Sequence, residues 1–234
     1  MKVNIWSDIR CPFCYVGKKK FEKALAQFPH AEEIEVTWHS FQLDPNLVTQ
    51  PDTNPYGYFS KAKGIPVIQA KAMHEHAKNA GKEAGIDFNF DESKVANSFR
   101  GHLLIQLAKK KNLADAMEEA LFEAQFITGK NIDDEAVLLE TGKSVGLTEE
   151  EVKNALASDE MAHAVTQDGL MARQLGINAV PFFVFNDKYG VSGAQQPEHF
   201  LEVLNKSFEE FSAGDKGLQI ISQGESCDTD GNCN

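Results

Sequence analysis

Apolar and polar residues alternate near both ends of the chain, and this pattern predicts β-strands there. Residues 2–7 form the first such segment, and the β-branched and aromatic stretch "IEVTWHSFQLDP" forms the second. Near the other end, "AVPFFVFN" and "YGVSG" predict a hairpin that turns at Asn186-Asp187.

Apolar residues at spacings of three and four predict a helix after the first strand and another after the hairpin. The first helix has an inward stripe from Cys14 to Phe28, and Pro12 suits its first position, where a missing N–H costs nothing. The dipeptide Gln196-Pro197 opens the last helix.

Helical periodicity also dominates the middle of the chain, from about residue 53 to residue 173. The predicted helical segments are "SKAKGIPVIQAKAMHEHAKNAGKEAG", "DESKVANSFRGHLLIQLAKKKN", "LADAMEEALFEAQFITG", "DDEAVLLETGKSVG" and "TEEEVKNALASDEMAHAVTQDGLMARQLG". Thr148 and Glu151 form a Thr-x-x-Glu capping box, a strong signal of a helix start. After Ser212 the periodicity ends, and the remaining residues are predicted to be a tail.

The composition is that of a chain that buries a substantial core. Of 234 residues, 42% are hydrophobic and 25% are charged, and the net charge is -12. Nucleic acids and anionic membranes repel such a chain on average, so we expect neither as a partner. Because neither an apolar leader nor a membrane-length segment is visible, the sequence predicts a cytoplasmic protein. A monomer and a dimer are both compatible with it.

Half of the four cysteines lie in "RCPFCYVGKKKF", as Cys11 and Cys14. With Cys227 and Cys233 they number enough for a zinc site, but the C-x5-C spacing of the second pair is loose for zinc, so we expect no metal. A structural bridge across so small a loop would have little entropic value. A redox pair fits better, because a helix N-cap favours a Cys11 thiolate and shields Cys14 as the resolving thiol. Beyond a redox-active disulfide, we expect no cofactor.

A proline interrupts the apolar strand that follows the helical block. Pro181 would break the ladder of an interior strand. A cis Val180-Pro181 bond would direct the Val180 backbone toward the cysteines and leave it free to pair with an extended substrate. A trans proline at the start of the strand is the alternative.

The order of these elements predicts an α/β protein with the two halves of a thioredoxin-like sheet. The block between the halves is too long for a loop, so it is predicted to be an all-helical domain inserted into the thioredoxin-like fold. The predicted boundaries are 1–52 and 174–212 for the discontinuous thioredoxin-like domain, 53–173 for the inserted helical domain, and 213–234 for a C-terminal tail with a second cysteine pair.

Several motifs of this chain resemble the DsbA-type thioredoxin-like oxidoreductases of the FrnE branch. The motifs are "SDIRCPFCYVGK", "FQLDP", "NSFRGHLL" and "VPFFVFNDKYGVSGAQ", and the likeness covers nearly all of residues 2–211. The resemblance implies a DsbA-type fold and a protein disulfide oxidoreductase with Cys11 as nucleophile, Cys14 as resolving thiol and Pro181 as the cis-proline of the substrate groove. Protein thiols or disulfides, or a small thiol such as glutathione, are then the expected partners.

The same superfamily includes 2-hydroxychromene-2-carboxylate isomerases and kappa-class glutathione transferases, which resemble this chain around "NSFRGH" and "VPFF". A glutathione-dependent isomerase or transferase is therefore the alternative enzyme. A redox-regulated chaperone or binding module is the alternative without catalysis. The presence of two cysteines, where those relatives often have one serine or cysteine, favours dithiol chemistry.

The remaining candidates for the substrate groove are Pro12, Phe13, Asn97 and His102, beside Val180. Phe13 lies between the cysteines and is expected to pack against or shield their disulfide. The family likeness places the helix of His102 over the groove, although a structural role fits His102 equally well. Asn97 fits a surface position as well as a ligand contact, and His39 fits a structural role better than a place beside the cysteines.

The tail contains the other two thiols, Cys227 and Cys233. Our hypothesis is that they form an auxiliary redox pair that exchanges with Cys11. A passive pair is the alternative.

Overall fold

The computed structural model describes residues 1–213 and the backbone of two short strands, 219–223 and 227–228. In chain order the elements are β1 (Lys2–Ser7), α1 (Pro12–Leu25), a 3-10 turn (Ala31–Glu33), β2 (Glu35–Ser40), α2 (Pro55–Lys63), α3 (Val67–Glu83), α4 (Phe99–Lys110), α5 (Ala114–Phe126), α6 (Glu135–Ser144), α7 (Glu149–Leu156), α8 (Asp159–Gln174), β3 (Ala179–Val180), β4 (Phe182–Phe185), β5 (Tyr189–Ser192), α9 (Pro197–Ala213), β6 (Gln219–Gln223) and β7 (Cys227–Asp228).

Within the described residues, five strands form one mixed sheet in the order β2-β1-β4-β5-β6. β1 pairs in parallel with β2 and antiparallel with β4, so that Ile5 lies opposite both Trp38 and Phe183. All four residues of β4 are buried, as expected for an interior strand covered on both faces. This order agrees with the predicted thioredoxin-like sheet, and seven helices lie between β2 and β3.

The predicted hairpin turns where the sequence indicates. Asn186 and Asp187 have φ values of 51° and 54°, in the left-handed region that these two residue types tolerate better than most. The turn joins β4 to β5 and pairs Phe185 with Tyr189. The hairpin prediction is therefore confirmed.

The core extends without a break from the sheet into the helices. Phe21 of α1 packs against Phe183 and Phe200, so α1 and α9 cover the sheet together. α4 and α8 contact β2, and the Trp6 indole of β1 donates from Nε1 to the Asp168 carbonyl oxygen of α8 at 3.1 Å. The buried apolar residues of both regions belong to one cluster. The domain boundaries at residues 52, 173 and 212 stay a prediction.

Two of the predicted helical stretches are each divided into two helices. Gly64 ends α2 with a φ of 64°, which only glycine adopts at little cost, and Pro66 immediately precedes α3. Ser158 separates α7 from α8 and caps α8, because its hydroxyl accepts a hydrogen bond from the Met161 N–H. The capping box of Thr148 and Glu151 at the start of α7 is confirmed.

The stretch 91–98 was predicted to be helical and is not. α4 begins only at Phe99, because Val95 pairs with Gln50 in an isolated β-bridge. The side chain of Asn97 accepts a hydrogen bond from the Phe99 N–H at 2.8 Å. These local contacts compete with helix formation over the preceding residues.

The end of the chain contains structure that the prediction of a tail did not include. β6 pairs in parallel with β5 and adds a fifth strand to the sheet. β7 pairs antiparallel with β3, with Val180 opposite Cys227 and Ala179 opposite Asp228. The Val180 backbone, which we expected to be free, is therefore paired with the chain's own terminus. Cys233 lies outside the described residues.

Candidate active site

Cys11 is the N-cap residue of α1, as the sequence predicts. Its backbone is extended, with φ -92° and ψ 112°, and Pro12 follows as the first helical residue. The Cys11 N–H donates to the Asp8 carbonyl oxygen at 2.9 Å, and the Cys14 N–H donates to the Cys11 carbonyl oxygen at 3.0 Å. These bonds hold Cys11 at the N-terminal, positive end of the helix dipole.

The Val180-Pro181 segment lies against this helix start. The bond between the two residues is cis, and the Cys11 sulfur is 3.5 Å from the Val180 carbonyl oxygen. Gly17 permits the close approach of α1, since a Cβ atom there would lie 2.9 Å from Pro181 Cγ. The structure thus brings Cys11, Cys14, Val180 and Pro181 together.

The environment of Cys14 differs from that of a surface thiol. Its side chain is buried, as is that of Cys11. Burial raises the pKa of the Cys14 thiol well above its ordinary value, and neighbouring Cys11 raises it further. The Asp8 backbone N–H and the Ser7 hydroxyl lower that pKa in part. Cys14 therefore holds its proton firmly, and any attack by its sulfur needs a group that accepts the proton.

His102 is fully buried near the loop that carries Cys11. Its Nε2 atom is 3.5 Å from Asp8 Oδ1, while the Asp8 carboxylate accepts hydrogen bonds from the Leu43 and Arg10 backbone N–H groups at 2.8 and 3.1 Å. Burial raises the pKa of the Asp8 carboxyl, but His102, Arg10 and Leu43 together bring it below its ordinary value. Asp8 is thus a buried carboxylate beside the cysteines.

His39 occupies a different place, on β2. Its Nδ1 is 2.7 Å from Asp168 Oδ1 and its Nε2 is 2.9 Å from Asn4 Oδ1. The ring stacks on Trp6 with 4.5 Å between centroids. Its Nδ1 connects β2 to α8 and its Nε2 connects β2 to β1, which agrees with the structural role favoured for His39.

Asn97 connects a loop to the start of α4. Its amide nitrogen donates to the Leu47 and Pro45 carbonyl oxygens at 2.8 and 3.3 Å. Its oxygen accepts from the Gln42 side chain at 3.2 Å, besides the Phe99 N–H. Its hydrogen-bonding groups are used within the protein, and its place in a substrate groove stays a prediction.

A cavity of about 250 Å³ opens beside the cysteines. Pro12 and Phe13 form one wall, Arg10 lies at its side, and aromatic residues of the helical region, including Phe59 and Phe90, form the opposite wall. Phe13 itself is almost completely buried. The two predicted groove residues next to Cys11 therefore adjoin a largely apolar space.

The geometry can be compared with known families. A family model described as the DSBA-like thioredoxin domain matches residues 2–205.

The chain belongs to the DsbA-like thioredoxin domain family.

Relatives within and around this family agree with the assignment. The chain is 27% identical over 204 residues to the uncharacterized protein YwbO of Bacillus subtilis, covering 87% of this chain and 95% of that protein. It is similar to the crystal structure of the probable DsbA oxidoreductase SCO1869 from Streptomyces coelicolor, with 36% identity, a TM-score of 0.83, and coverage of 100% and 98% of the two chains.

Two more distant structures share the DsbA-like fold. The first is 2-hydroxychromene-2-carboxylate isomerase, with 14% identity, a TM-score of 0.68, and coverage of 92% of this chain and 100% of that one. The second is the cytosolic disulfide reductase DsbM from Pseudomonas aeruginosa with GSH, with 17% identity, a TM-score of 0.65, and coverage of 89% of this chain and 100% of that one. At these identities the similarity shows the fold alone.

The part of this DsbA-like chain that the structure describes holds no group of three or more His, Cys, Asp or Glu side chains arranged for a metal. The side chains of Cys227 and Cys233 lie outside the described part of the chain, so the expectation of no metal stays a prediction. Among the described helices, none has both the length and the apolar character needed to span a membrane.

Sequence reasoning assigned no role to Ser7 and Asp8, which adjoin Cys14 in this DsbA-like site, or to Glu118, which lies near both of them. Glu118 is fully buried in α5, and its position was available from periodicity, since it lies three and four residues before the inward-facing Leu121 and Phe122. Ser7 and Asp8 lie at the end of β1, directly before the cysteine motif. No local pattern distinguishes them from ordinary loop residues.

Proposed function

We propose that this DsbA-like protein is a thiol–disulfide oxidoreductase that acts on protein substrates through Cys11 and Cys14. In oxidation, a substrate thiolate attacks the Cys11 sulfur of the Cys11–Cys14 disulfide, and Cys14 leaves. In reduction, Cys11 attacks the substrate disulfide and Cys14 then resolves the mixed disulfide.

The contrast between the two cysteines carries this proposal. Cys11 lies at the helix N-terminus with its sulfur 3.5 Å from the Val180 carbonyl oxygen, beside the cis Val180-Pro181 bond. Cys14 lies one turn inside with a raised pKa. A nucleophile at a helix N-terminus and a protonated thiol one turn behind it suit a two-step exchange.

The test uses two single substitutions with the same change of chemistry. The assay is the reduction of insulin disulfides. Cys11→Ser is expected to lose all turnover. Cys14→Ser is expected to form mixed disulfides between Cys11 and substrate that persist on a non-reducing gel. A Cys14→Ser protein that reduces insulin at the original rate would contradict the proposal.

The second candidate is a glutathione-dependent isomerase or transferase. It is favoured by the aromatic cavity beside Pro12 and Phe13, and by the similar folds of 2-hydroxychromene-2-carboxylate isomerase and of DsbM with GSH. Such an enzyme uses the thiol of glutathione, so Cys14→Ser should leave its turnover unchanged. The same variant thus distinguishes the two candidates in one experiment.

We further propose that Cys227 and Cys233 serve as an auxiliary redox pair for Cys11. The support is the pairing of β7 with β3, which sets the Cys227 backbone opposite Val180. The Cys227→Ser, Cys233→Ser double variant should turn over more slowly with a dithiol donor, whereas equal turnover would indicate a passive pair. A cytosolic location, like that of the disulfide reductase DsbM, is the setting in which we expect this exchange.

A further inference from the structure

The protein's own terminus occupies the backbone beside the cysteine pair. β7 pairs antiparallel with β3, and this pairing places Cys227 opposite Val180. The Val180 carbonyl oxygen is 3.5 Å from the Cys11 sulfur, and the bond from Val180 to Pro181 is cis. Any extended substrate that pairs with Val180 therefore needs a position that β7 already fills.

Cys11 has no exposed surface in this arrangement. The exposed fraction of the residue is 0%, as is that of Val180. Thiol–disulfide exchange requires that a substrate sulfur reaches the sulfur of Cys11, and its rate depends on this access. At least one element beside Cys11 must therefore move before a protein substrate reacts.

The elements around Cys11 differ in how firmly they are held. α1 packs its Phe21 ring against Phe183 and Phe200 in the core, and β1 is paired on both sides, with β2 and β4. β7 pairs with β3 over two residues, in a sheet of two strands. Because a two-stranded pair of this length is marginal by itself, it opens at little cost in free energy.

β6 keeps β7 close to the site when this pair opens. The five residues of β6, Gln219–Gln223, lie beside β5 at the edge of the larger sheet, and residues 224–226 connect β6 to β7. A segment tethered by so short a connection acts at an effective concentration of about millimolar. The terminal segment therefore competes with any substrate strand for the Val180 backbone.

We propose that β7 is an intramolecular competitor of protein substrates. It occupies the Val180 backbone in the free protein, and an extended substrate segment displaces it to reach Cys11. This inference rests on the proposed dithiol function. It differs from the auxiliary redox role, because it depends on the backbone of the terminal segment and is independent of the thiols of that segment.

The experiment compares full-length proteins that have the same thiols and differ in the backbone of the terminal segment. The reference carries Cys227→Ser and Cys233→Ser, so Cys11 and Cys14 are its two thiols. Any difference between variants made in this background then cannot come from exchange with the second cysteine pair.

The β7 variant carries Cys227→Pro and Asp228→Pro together with Cys233→Ser. Neighbouring residues of an antiparallel strand alternate between hydrogen-bonded and non-hydrogen-bonded positions, so replacing both residues of β7 removes whichever N–H donates to β3. The control variant carries Gly231→Pro and Asn232→Pro in the reference. Its two prolines lie beyond the end of β7.

The first measurement is the rate at which iodoacetamide alkylates Cys11 in the reduced proteins, followed by mass spectrometry of the peptide that contains it. The β7 variant should react about tenfold faster than the reference, because a site that is open in a fraction of the molecules reacts in proportion to that fraction. The control variant should react at the rate of the reference. No substrate is needed, so this rate reports the position of β7 separately from the dithiol function.

The second measurement is the reduction of insulin disulfides by the same three proteins. The β7 variant should have a KM about tenfold lower than the reference and an unchanged kcat, because the change removes a competitor and alters no reacting atom. A synthetic peptide of residues 224–234, with serine in place of both cysteines, should raise the KM of the β7 variant again at millimolar concentration. It should affect the reference less, since the reference carries its own competitor.

Three results are distinguishable. A reference protein that does not reduce insulin contradicts the dithiol function, and its alkylation rates still report the position of β7. A reference that reduces insulin, with the β7 variant equal to it in both measurements, overturns the role of β7 alone. Equal gains in the β7 variant and the control variant overturn that role too, because the effect would not depend on the pairing of β7 with β3.

Discussion

The protein contains two buried histidines beside aspartates, and their surroundings differ. His39 has partners for both ring nitrogens, at 2.7 Å in Asp168 and 2.9 Å in Asn4. His102 lies 3.5 Å from Asp8, and neither of its ring nitrogens forms a hydrogen bond within the described residues. The first histidine fastens α8 to the sheet, and the second lies in the site that contains Cys14 and Glu118.

This difference separates polar groups that stabilise the fold from polar groups that are available for chemistry. A fully hydrogen-bonded buried network fixes one packing arrangement, because each lost contact leaves a polar atom without a partner. An incompletely bonded network costs stability, and its protons and charges are free to respond to a reacting neighbour. The contrast can be tested by matched changes in the two clusters.

The largest expected effect follows from His39→Leu. This change removes the contacts of the ring nitrogens with Asp168 Oδ1 at 2.7 Å and Asn4 Oδ1 at 2.9 Å, and it removes the stacking on Trp6. We expect the free energy of unfolding to fall by about 3 kcal/mol. Urea denaturation measures the loss, while thiol exchange per folded molecule should be unchanged. A fall in the free energy of unfolding of less than about 1 kcal/mol would contradict the structural role that separates His39 from His102.

An intermediate effect is expected in the pH dependence of stability. Burial raises the folded-state pKa of Glu118 from its ordinary value of 4.5 to about 8, so the folded protein binds more protons than the unfolded chain between these values. Stability from this group therefore falls as pH rises from about 4.5 to 8. In Glu118→Gln the slope of unfolding free energy against pH should change by up to about 1.4 kcal/mol per pH unit.

Urea denaturation of the unsubstituted protein and of Glu118→Gln at several pH values gives the two slopes. Asp168 contributes to stability with the opposite dependence on pH, and the same titrations record it. Its pKa is lowered, since His39, Lys109 and Ser40 outweigh the effect of burial, so its stabilisation is present above its ordinary pKa and is lost as pH falls. Parallel curves for the two proteins above pH 5 would show that Glu118 titrates normally.

The smallest expected effect comes from His102→Leu. No hydrogen bond of the ring is lost, and Asp8 keeps its two backbone donors. We expect a change within about 1 kcal/mol in the free energy of unfolding, because the ring forms no hydrogen bond and only its 3.5 Å contact with Asp8 is lost. The same urea titration used for His39→Leu gives the comparison directly, and a loss as large as for His39→Leu would show that His102 is structural.

Much of the fold could be predicted where local signals and tertiary packing agree. The N-cap position of Cys11, the capping box at Thr148 and the turn at Asn186-Asp187 follow from short-range chemistry and recur in the structure. Gly64 and Pro66 also indicate the break between α2 and α3. The helical spacing of apolar residues on both sides led to the prediction of one continuous helix instead. Ser158 similarly capped a new helix inside a periodic stretch.

Long-range contacts limited the rest of the prediction. β6 is a strand because it pairs with β5. Residues 219–223 show no alternation of apolar and polar residues from which a strand could be predicted. Residues 91–98 are held out of a helix by Gln50 and by the bonds of Asn97. In the site, the cysteines and Pro181 were visible as a motif. Ser7 is part of the "SDIRCPFCYVGK" motif, whereas Glu118 is distant in sequence, and only folding brings it near Ser7 and Asp8.

The shared core limits how far the helical region behaves as a separable module. Lys18 of α1 is buried and paired with Asp115 and Glu119 of α5, and the Trp38 indole of β2 donates to the Asp115 carboxylate at 3.2 Å. Excising the helices would leave this lysine without its partners on α5 and expose a tryptophan. A protein that carried the cysteine motif on the sheet and α1 alone would therefore contain Cys11 and Cys14 but lack the contacts with α5.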